Sequence, residues 1–286
     1  WRALSAERVN NLIDLAVTKY NAKHIWFTDD LFFVSKKRAV AIMEHIINKG
    51  YRITWEALTT MNLFKNILTD DILALMKKSG GIVLGMGAES GSDRILKIIN
   101  KPQQNRETIM YAMKQCNKHD IIPKPSFLTG IPGETHDEAK ETIKLIADIA
   151  DVCPKTSFYI PSVFRPYPGT TLYEECIELG FKEPESLEEW LEYEFHDNYF
   201  IKPEDLPWID EPDFHINVPY VTYNYLHYNF FGDKRNKPLS RKIAGKLANL
   251  RIKKDIWAFP YEYKLTRMKK NLEKIPPLKR IVELVT

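Results

Sequence analysis

Apolar residues in the first 180 positions come in two patterns, one at helical spacing and one as short continuous runs, and the two alternate. Ser5 is a good N-cap, and Val9, Leu12, Ile13, Leu15, Ala16 and Val17 then recur at helical spacing up to Tyr20, which predicts a first amphipathic helix. The run Ile25-Trp26-Phe27-Thr28 reads as a buried strand that stops at Asp29-Asp30. Ser35 to Asn48 is again helical, with Val40, Ile42, Met43, Ile46 and Ile47 inward and Gly50 as its stop. Tyr51 to Glu56 alternates as a strand does. Thr69 is the expected cap of a helix whose first turn holds Asp70 and Asp71, suited to the positive end of the helix dipole, and which ends at Gly80-Gly81. Further strands are expected at Ile82 to Met86, Pro125 to Thr129 and Thr156 to Val163. Helices are expected at Ser92 to Ile99, Glu107 to Lys118, Glu138 to Ala150 and Leu172 to Leu179, the last after a turn at Tyr167-Pro168-Gly169-Thr170.

Five strand–helix units predict a parallel sheet, because each return to the same edge needs a crossover helix. Near-continuous apolar strands fit a sheet covered on both faces. In barrel-like α/β folds the C-terminal strand ends converge on the mouth that carries the chemistry. Those ends read Asp29 and Asp30, then Trp55 and Glu56, then Gly87 to Ser90, then Gly130 to Glu134, then Arg165-Pro166. Polar, acidic and glycine residues therefore fall at one end of the sheet. The fourth of these ends, in PSFLTGIPGET (Pro125 to Thr135), is a strand running into a ledge of Gly130, Ile131, Pro132 and Gly133. Thr135 and Glu138 follow at the spacing of a capping box. Such a ledge lets a planar or anionic ligand approach the backbone closely, since no Cβ intervenes and a helix start presents N–H donors.

Charge and cysteine content narrow the class. The net charge of +3 over 286 residues argues against nucleic acid as the main partner, although Lys234 to Lys279 is rich in basic residues and Glu183 to Asp213 is acidic. No apolar run is long enough to span a membrane and no signal peptide opens the chain, so a cytoplasmic protein is expected. Cys116, Cys153 and Cys176 fit no disulfide, zinc or iron–sulfur spacing. From residue 181 the character changes: an acidic helix at Glu183 to Glu194, a proline-bearing loop from Lys202 to Pro219, an aromatic stretch from Val221 to Phe231, and a helical, basic stretch from Leu239 to Leu272. The aromatic cluster reads first as core and the basic face as a solvated one. Contact of the basic helices with a membrane surface or a partner is the functional alternative.

The stretches IWFTDDLF (Ile25 to Phe32), GMGAESGS (Gly85 to Ser92), INKPQ (Ile99 to Gln103), FLTGIPGET (Phe127 to Thr135) and RPYPGTTLY (Arg165 to Tyr173) together resemble the radical S-adenosylmethionine superfamily, in the branch whose members usually carry a cobalamin-binding domain. The resemblance covers about residues 1 to 180. It implies a partial (β/α)6 TIM-type barrel, here strands two to six without the first. A mostly helical C-terminal extension, residues 181–286, would cover the substrate side, with His196, His215, His227 and the tyrosines as its implied substrate-cavity lining. It implies a methionyl-ammonium contact at Asp29 or Asp30, and ribose contacts at Glu89, Ser90 and Ser126. Lys101 would face the methionyl carboxylate, the ledge Gly130, Ile131 and Gly133 would face adenine, and Phe164 and Pro166 would lie on its other side. The implied cofactors are S-adenosyl-L-methionine, a 4Fe–4S cluster and, in some relatives, cobalamin. The implied partners are a small-molecule or lipid substrate and an electron donor such as flavodoxin or ferredoxin.

The chain departs from this family in one respect: none of its three cysteines fits the C-x3-C-x2-C motif that holds the cluster. Trp1-Arg2-Ala3-Leu4-Ser5 is similar to the junction just after the cluster loop, so a piece of a longer radical enzyme, inactive by itself, is the expectation. The reaction expected of the whole enzyme is reductive cleavage of S-adenosylmethionine to a 5′-deoxyadenosyl radical, with methyl transfer as one outcome. Two other readings stand beside it. One is a divalent-metal-dependent lyase or hydrolase using Asp29, Asp30, Glu56 and Glu89 as oxygen ligands. The other is a non-catalytic scaffold.

Overall fold

A computed structural model describes residues 3–195, 206–209, 214–231 and 237–257, and for 192–195 and 214–220 only the backbone. Contacts gather the chain into two compact units, Trp1–Phe127 with Leu145–Tyr159 and Leu128–Lys144 with Ile160–Thr286. The Trp1-Arg2 junction lies outside the described residues.

In the first unit, α1 (Ala6–Thr18) and α2 (Lys36–Asn48) begin as the sequence predicts, with Ser5 Oγ accepting the Arg8 N–H and Ser35 Oγ accepting that of Arg38. Asp14 braces the two helices by accepting from His45 Nε2 at 2.7 Å and from the Tyr51 hydroxyl at 2.8 Å. α4 (Asp70–Lys78) has the expected acids in its first turn, but Thr69 makes no side-chain cap bond. A short helix that the sequence pattern did not predict, α3 (Met61–Ile67), intervenes, capped by Thr60. Its seven residues are too few to establish a period. α5 (Asp93–Ile98) and α6 (Arg106–Lys118) complete the unit's helices up to the point where the sheet crosses over. Asn105 and Thr108 form a reciprocal capping box at the start of α6.

Strands β1 (His24–Trp26), β2 (Thr54–Thr59), β3 (Gly81–Glu89), β4 (Ile122–Thr129) and β5 (Ser162–Val163) are all parallel and lie in sequence order. This is a partial α/β barrel of the TIM type. β2 begins and ends later than its alternation suggests. Trp55 is consequently a core residue near the start of the strand, fully buried, with its indole N–H donating to the Ser79 carbonyl and hydroxyl oxygens and its ring edge-on to Phe27 at 5.6 Å. Thr59 and Thr60, rather than Trp55 and Glu56, stand at the strand's C-terminal end. β5 is two residues long instead of the eight expected. β4 crosses from the first unit into the second, pairing with β3 up to Phe127 and with β5 at Leu128 and Thr129.

The core of the first unit is aliphatic and aromatic: Phe32, Phe33, Ile42, Met43, Phe64, Leu73, Met76, Leu84 and Phe127 are all less than 2% exposed. Each such side chain contributes about 1.5–3 kcal/mol by leaving water.

The second unit holds α8 (Thr171–Glu178), α9 (Leu187–Phe195), α10 (Phe214–Asn229) and α11 (Leu239–Lys254), and α7 (His136–Val152) starts in it. Pro219 lies inside α10, so the predicted loop stops short of it. Pro219 is the sixth residue of α10, so its missing N–H costs one intrahelical hydrogen bond, and the helix is carried past it by the buried Val221, Tyr225 and Leu226. α11, the first helix of the basic stretch, ends at Lys254 because Asp255 takes the left-handed conformation and its N–H turns back to the Arg251 and Ile252 carbonyls. The continuation to Leu272 lies outside the described residues beyond 257. α10 and α11 approach closely at Gly245, where a Cβ would stand 2.1 Å from Tyr228 Cβ. Among the described residues, no helix is long and apolar enough to cross a membrane.

Candidate functional site

In the first unit the candidate residues gather where β3 ends. The register between β3 and β4 slips between Gly87 and Glu89, a bulge that leaves Ala88 without its ladder position. The Ala88 carbonyl is instead held by Gln104 Nε2 at 2.5 Å and the Ser90 N–H at 2.8 Å. Glu89 itself has φ +62. The other described non-glycine residues with positive φ are asparagines and aspartates, which tolerate that region, so Glu89 is the strained member. This geometry aims its carboxylate at Lys101, with Nζ to Oε1 at 2.6 Å. Gly87 makes the room: a Cβ there would lie 2.0 Å from Glu89 Oε1 and 3.1 Å from Lys101 Nζ. Glu89 and Lys101, twelve residues apart, are thus joined directly, and Ser126 is the strand neighbour of Gly87.

The remaining candidates of this unit are distributed differently. Ser90 is fully buried and its hydroxyl accepts the Ser92 N–H at 3.1 Å, while Ser92 caps α5. Asp29 is 3.5 Å from Arg38, whose side chain is mostly buried and also donates to the carbonyls of Leu4 and Phe32. Asp30 is exposed. Glu56 lies mid-strand beside His24 at 3.4 Å. Three of the four carboxylates suggested as metal ligands therefore each face a different basic side chain. Among the described residues no group of three His, Cys, Asp or Glu side chains is placed to hold a metal ion, so these carboxylates do not converge as the metal-dependent reading requires.

Sequence patterning missed two residues near this end. Gln104 anchors the bulge, and Thr59 is 4% exposed at the end of β2 with its hydroxyl unpartnered. Neither has a periodic signature, because a single buried polar side chain leaves no trace in the apolar pattern.

In the second unit the ledge after β4 is built around Glu134. Its Oε2 accepts the Gly130 N–H at 2.5 Å, the Ile131 N–H at 3.4 Å and the Thr129 hydroxyl at 3.5 Å, and its own N–H turns back to the Ile131 carbonyl at 2.9 Å. Burial pushes the Glu134 carboxyl up to about 7 despite the N–H donors, and Oε1 has no hydrogen-bond partner. Gly130 and Gly133 take the left-handed conformation, with φ +78 and +75, which only glycine adopts readily. Ile131 is fully buried and Gly133 exposed. The predicted capping box is present: the Thr135 N–H donates to Glu138 Oε2 at 2.9 Å and the Glu138 N–H to Thr135 Oγ1 at 3.3 Å. Pro166 is buried, and the N–H of the half-buried Phe164 donates to the Thr129 carbonyl at 2.8 Å. On the side where a Cβ of Gly130 would stand, Leu206 fills the space, so that face of the ledge is not bare.

Elsewhere in this unit His227 lies between Tyr223, at 4.6 Å between ring centroids, and Phe231, at 5.4 Å. Burial and then the nearby Arg241 and Lys237 hold its imidazole below the usual histidine range. His196 lies outside the described residues, and the side chain of His215 is not described.

The three cysteines, Cys116, Cys153 and Cys176, are all thiols. All are free and buried; desolvation, with Cys153 beside it, raises the Cys116 thiol far beyond its ordinary range, and burial and then Glu175 raise that of Cys176 to about 11.

The profile of the radical SAM superfamily matches residues 1–146. An uncharacterized methyltransferase of Pyrococcus horikoshii is 34% identical over 180 residues, 62% of this chain and 36% of that protein. The tRNA-2-methylthio-N6-dimethylallyladenosine synthase of Vibrio vulnificus is 36% identical over 106 residues, 36% of this chain and 21% of that protein. Among solved structures, the apo form of the cobalamin-dependent S-adenosylmethionine radical enzyme OxsB superposes with a TM-score of 0.56 at 15% identity, over 88% of this chain and 42% of that one, a likeness of fold. The chain thus spans about a third or less of the length of these curated relatives.

Proposed function

The chain belongs to the radical S-adenosylmethionine superfamily, and from that premise we propose that it is the S-adenosylmethionine-binding part of a radical enzyme whose reaction is methyl transfer or a related step, with cobalamin as a second cofactor of the whole protein. The observation that carries this is the strained Glu89, aimed by its bulge at Lys101 above a glycine that no other residue could replace without displacing both. Strain of this kind persists where the surrounding structure enforces it for a task.

In the first unit Glu89 accepts hydrogen bonds from the ribose hydroxyls, as a carboxylate with four lone-pair positions can while one oxygen remains on Lys101. Lys101 spends one of its three N–H donors on Glu89 and offers the others to the methionyl carboxylate. Asp29 or Asp30 serves the methionyl ammonium, and Ser126 a ribose hydroxyl. Buried Ser90 acts by setting the turn that carries Glu89. In the second unit the adenine is assigned to the ledge of Gly130, Ile131 and Gly133, with Phe164 and Pro166 on its other side. Residues 181–286 are the substrate-side part.

When bound, the family's cluster supplies the electron that cleaves the sulfonium; the thiols described here are not its ligands. An external reductant and a small-molecule or lipid substrate complete the scheme.

Equilibrium binding of S-adenosylmethionine and of 5′-deoxyadenosine to this chain tests the assignment. Lys101→Met is expected to weaken the first roughly tenfold and leave the second unchanged, since only the first carries a carboxylate. Glu89→Gln is expected to weaken both. Equal affinities for both ligands in wild type and both variants would overturn the proposal.

A further inference from the structure

The peptide that joins Gly130 to Ile131 is gripped at both ends. Its N–H, that of Ile131, points to Glu134 Oε2, and its C=O, that of Gly130, accepts the indole N–H of Trp208 at 2.8 Å. Trp208 is 78 residues further along the chain, so no local turn rule requires this contact. Its neighbours act on the same spot. Leu206 is 1% exposed and its Cδ1 lies 2.6 Å from where a Gly130 Cβ would stand. Pro207 packs beside Gly180, 3.6 Å from the position of a Cβ there, and the Ile209 N–H closes a turn onto the Leu206 carbonyl at 3.0 Å. The Trp208 ring stands edge-on to Phe164 at 6.2 Å and packs against the buried cluster of Tyr173, Cys176 and Phe181. Three consecutive residues thus each have a seat, and two of the seats are on Gly130.

We propose that Leu206-Pro207-Trp208 is a strap that fixes the orientation of the Gly130–Ile131 peptide and thereby selects a nucleobase bearing an exocyclic amino group, with Trp208 as the positioning residue. This rests on the reading that the ledge takes the adenine. A carbonyl oxygen has two lone pairs, and the indole uses one; the other is held in a fixed direction for an amino donor. A peptide free to rotate would present N–H and C=O interchangeably, and an amino and a keto base would then bind alike. A base that offers a keto oxygen where adenine offers its amino group meets an acceptor with an acceptor, and such mismatches discriminate strongly because a buried polar group is left unpaired. Glycine at 130 is required twice over, by its φ of +78 and by Leu206.

Binding of 5′-deoxyadenosine and 5′-deoxyinosine to this chain, measured by calorimetry, reads the selection directly. Wild type is expected to prefer the adenine nucleoside about tenfold, the worth of one hydrogen bond lost and one acceptor unpaired. Trp208→Phe keeps an aromatic ring but not the donor and is expected to bring the preference to roughly twofold, with a melting temperature lowered by no more than a few degrees and faster hydrogen exchange at the Gly130 and Ile131 amides. Trp208→His, which restores a ring N–H, is expected to recover part of the preference. A tenfold preference that persists in Trp208→Phe overturns the strap alone. Wild type that binds neither nucleoside overturns the ledge reading and the strap with it. Loss of selection with no difference between Phe and His assigns the effect to packing and also overturns the role given to the indole N–H.

Discussion

Glu89 in the first unit and Glu134 in the second are both carboxyl groups placed near the C-terminal end of a strand, and their charges are handled in opposite ways. Glu89 faces a lysine across 2.6 Å and its side chain keeps some solvent contact. Glu134 is 6% exposed, has only backbone N–H groups and one threonine hydroxyl around Oε2, and is pushed up to about 7 by desolvation. A half-solvated ion pair contributes at most about 1 kcal/mol to stability, whereas a buried carboxyl without a cation binds its proton into the neutral range. The same residue type is therefore half of an ion pair in one unit and a brace for the backbone in the other, and burial decides which.

The largest effect that tests this contrast is expected at Glu134→Ala. It strands the Gly130 and Ile131 N–H groups in a buried loop, and a loss of about 3 kcal/mol is expected in chemical denaturation at pH 6. A loss below about 1 kcal/mol would show that the loop holds without its brace. Next in size is a pH dependence. Because the folded-state value of Glu134 is raised, the folded protein holds a proton that the unfolded chain has released above about pH 4.5. The resulting stability is fully present below that pH and is lost as pH rises through about 7. Between pH 5 and pH 8 wild type is expected to lose on the order of 2–3 kcal/mol through this group, and Glu134→Gln to lack that component. An identical slope in both proteins would move the titration to another group. The smallest effect on stability is expected at Gly87→Ala, under about 1 kcal/mol, because the group its Cβ meets is the mobile end of Glu89. The same variant is expected to weaken S-adenosylmethionine binding about tenfold by splitting the Glu89–Lys101 pair. Unchanged affinity would show that this pair is a stability feature, as Glu134 is.

Much of the fold was legible along the chain. The alternation of apolar runs and helical spacing placed all five strands within a few residues, apart from the long fifth, and it gave their parallel order, because period and crossover length are local properties. Ser5, Ser35 and the Thr135–Glu138 box were legible as helix starts for the same reason. Trp55 was not: its pattern suited the end of a strand, and only the register with β3 showed it to be core. α3 escaped because seven residues carry less than two turns of periodic signal.

By itself, then, the sequence determined the order of elements, the glycines that a left-handed backbone needs at the ledge, and the family to which those motifs belong. Tertiary structure alone decided which charge each carboxyl meets and which carbonyls are already taken. Glu89 finds Lys101 only because a bulge turns it, and Gly130 meets Leu206 and Trp208 only because the chain returns some 78 residues later. Periodicity records which face of an element leaves water. The partner of a single polar group is set by distance and burial in the folded chain, and these no local pattern encodes.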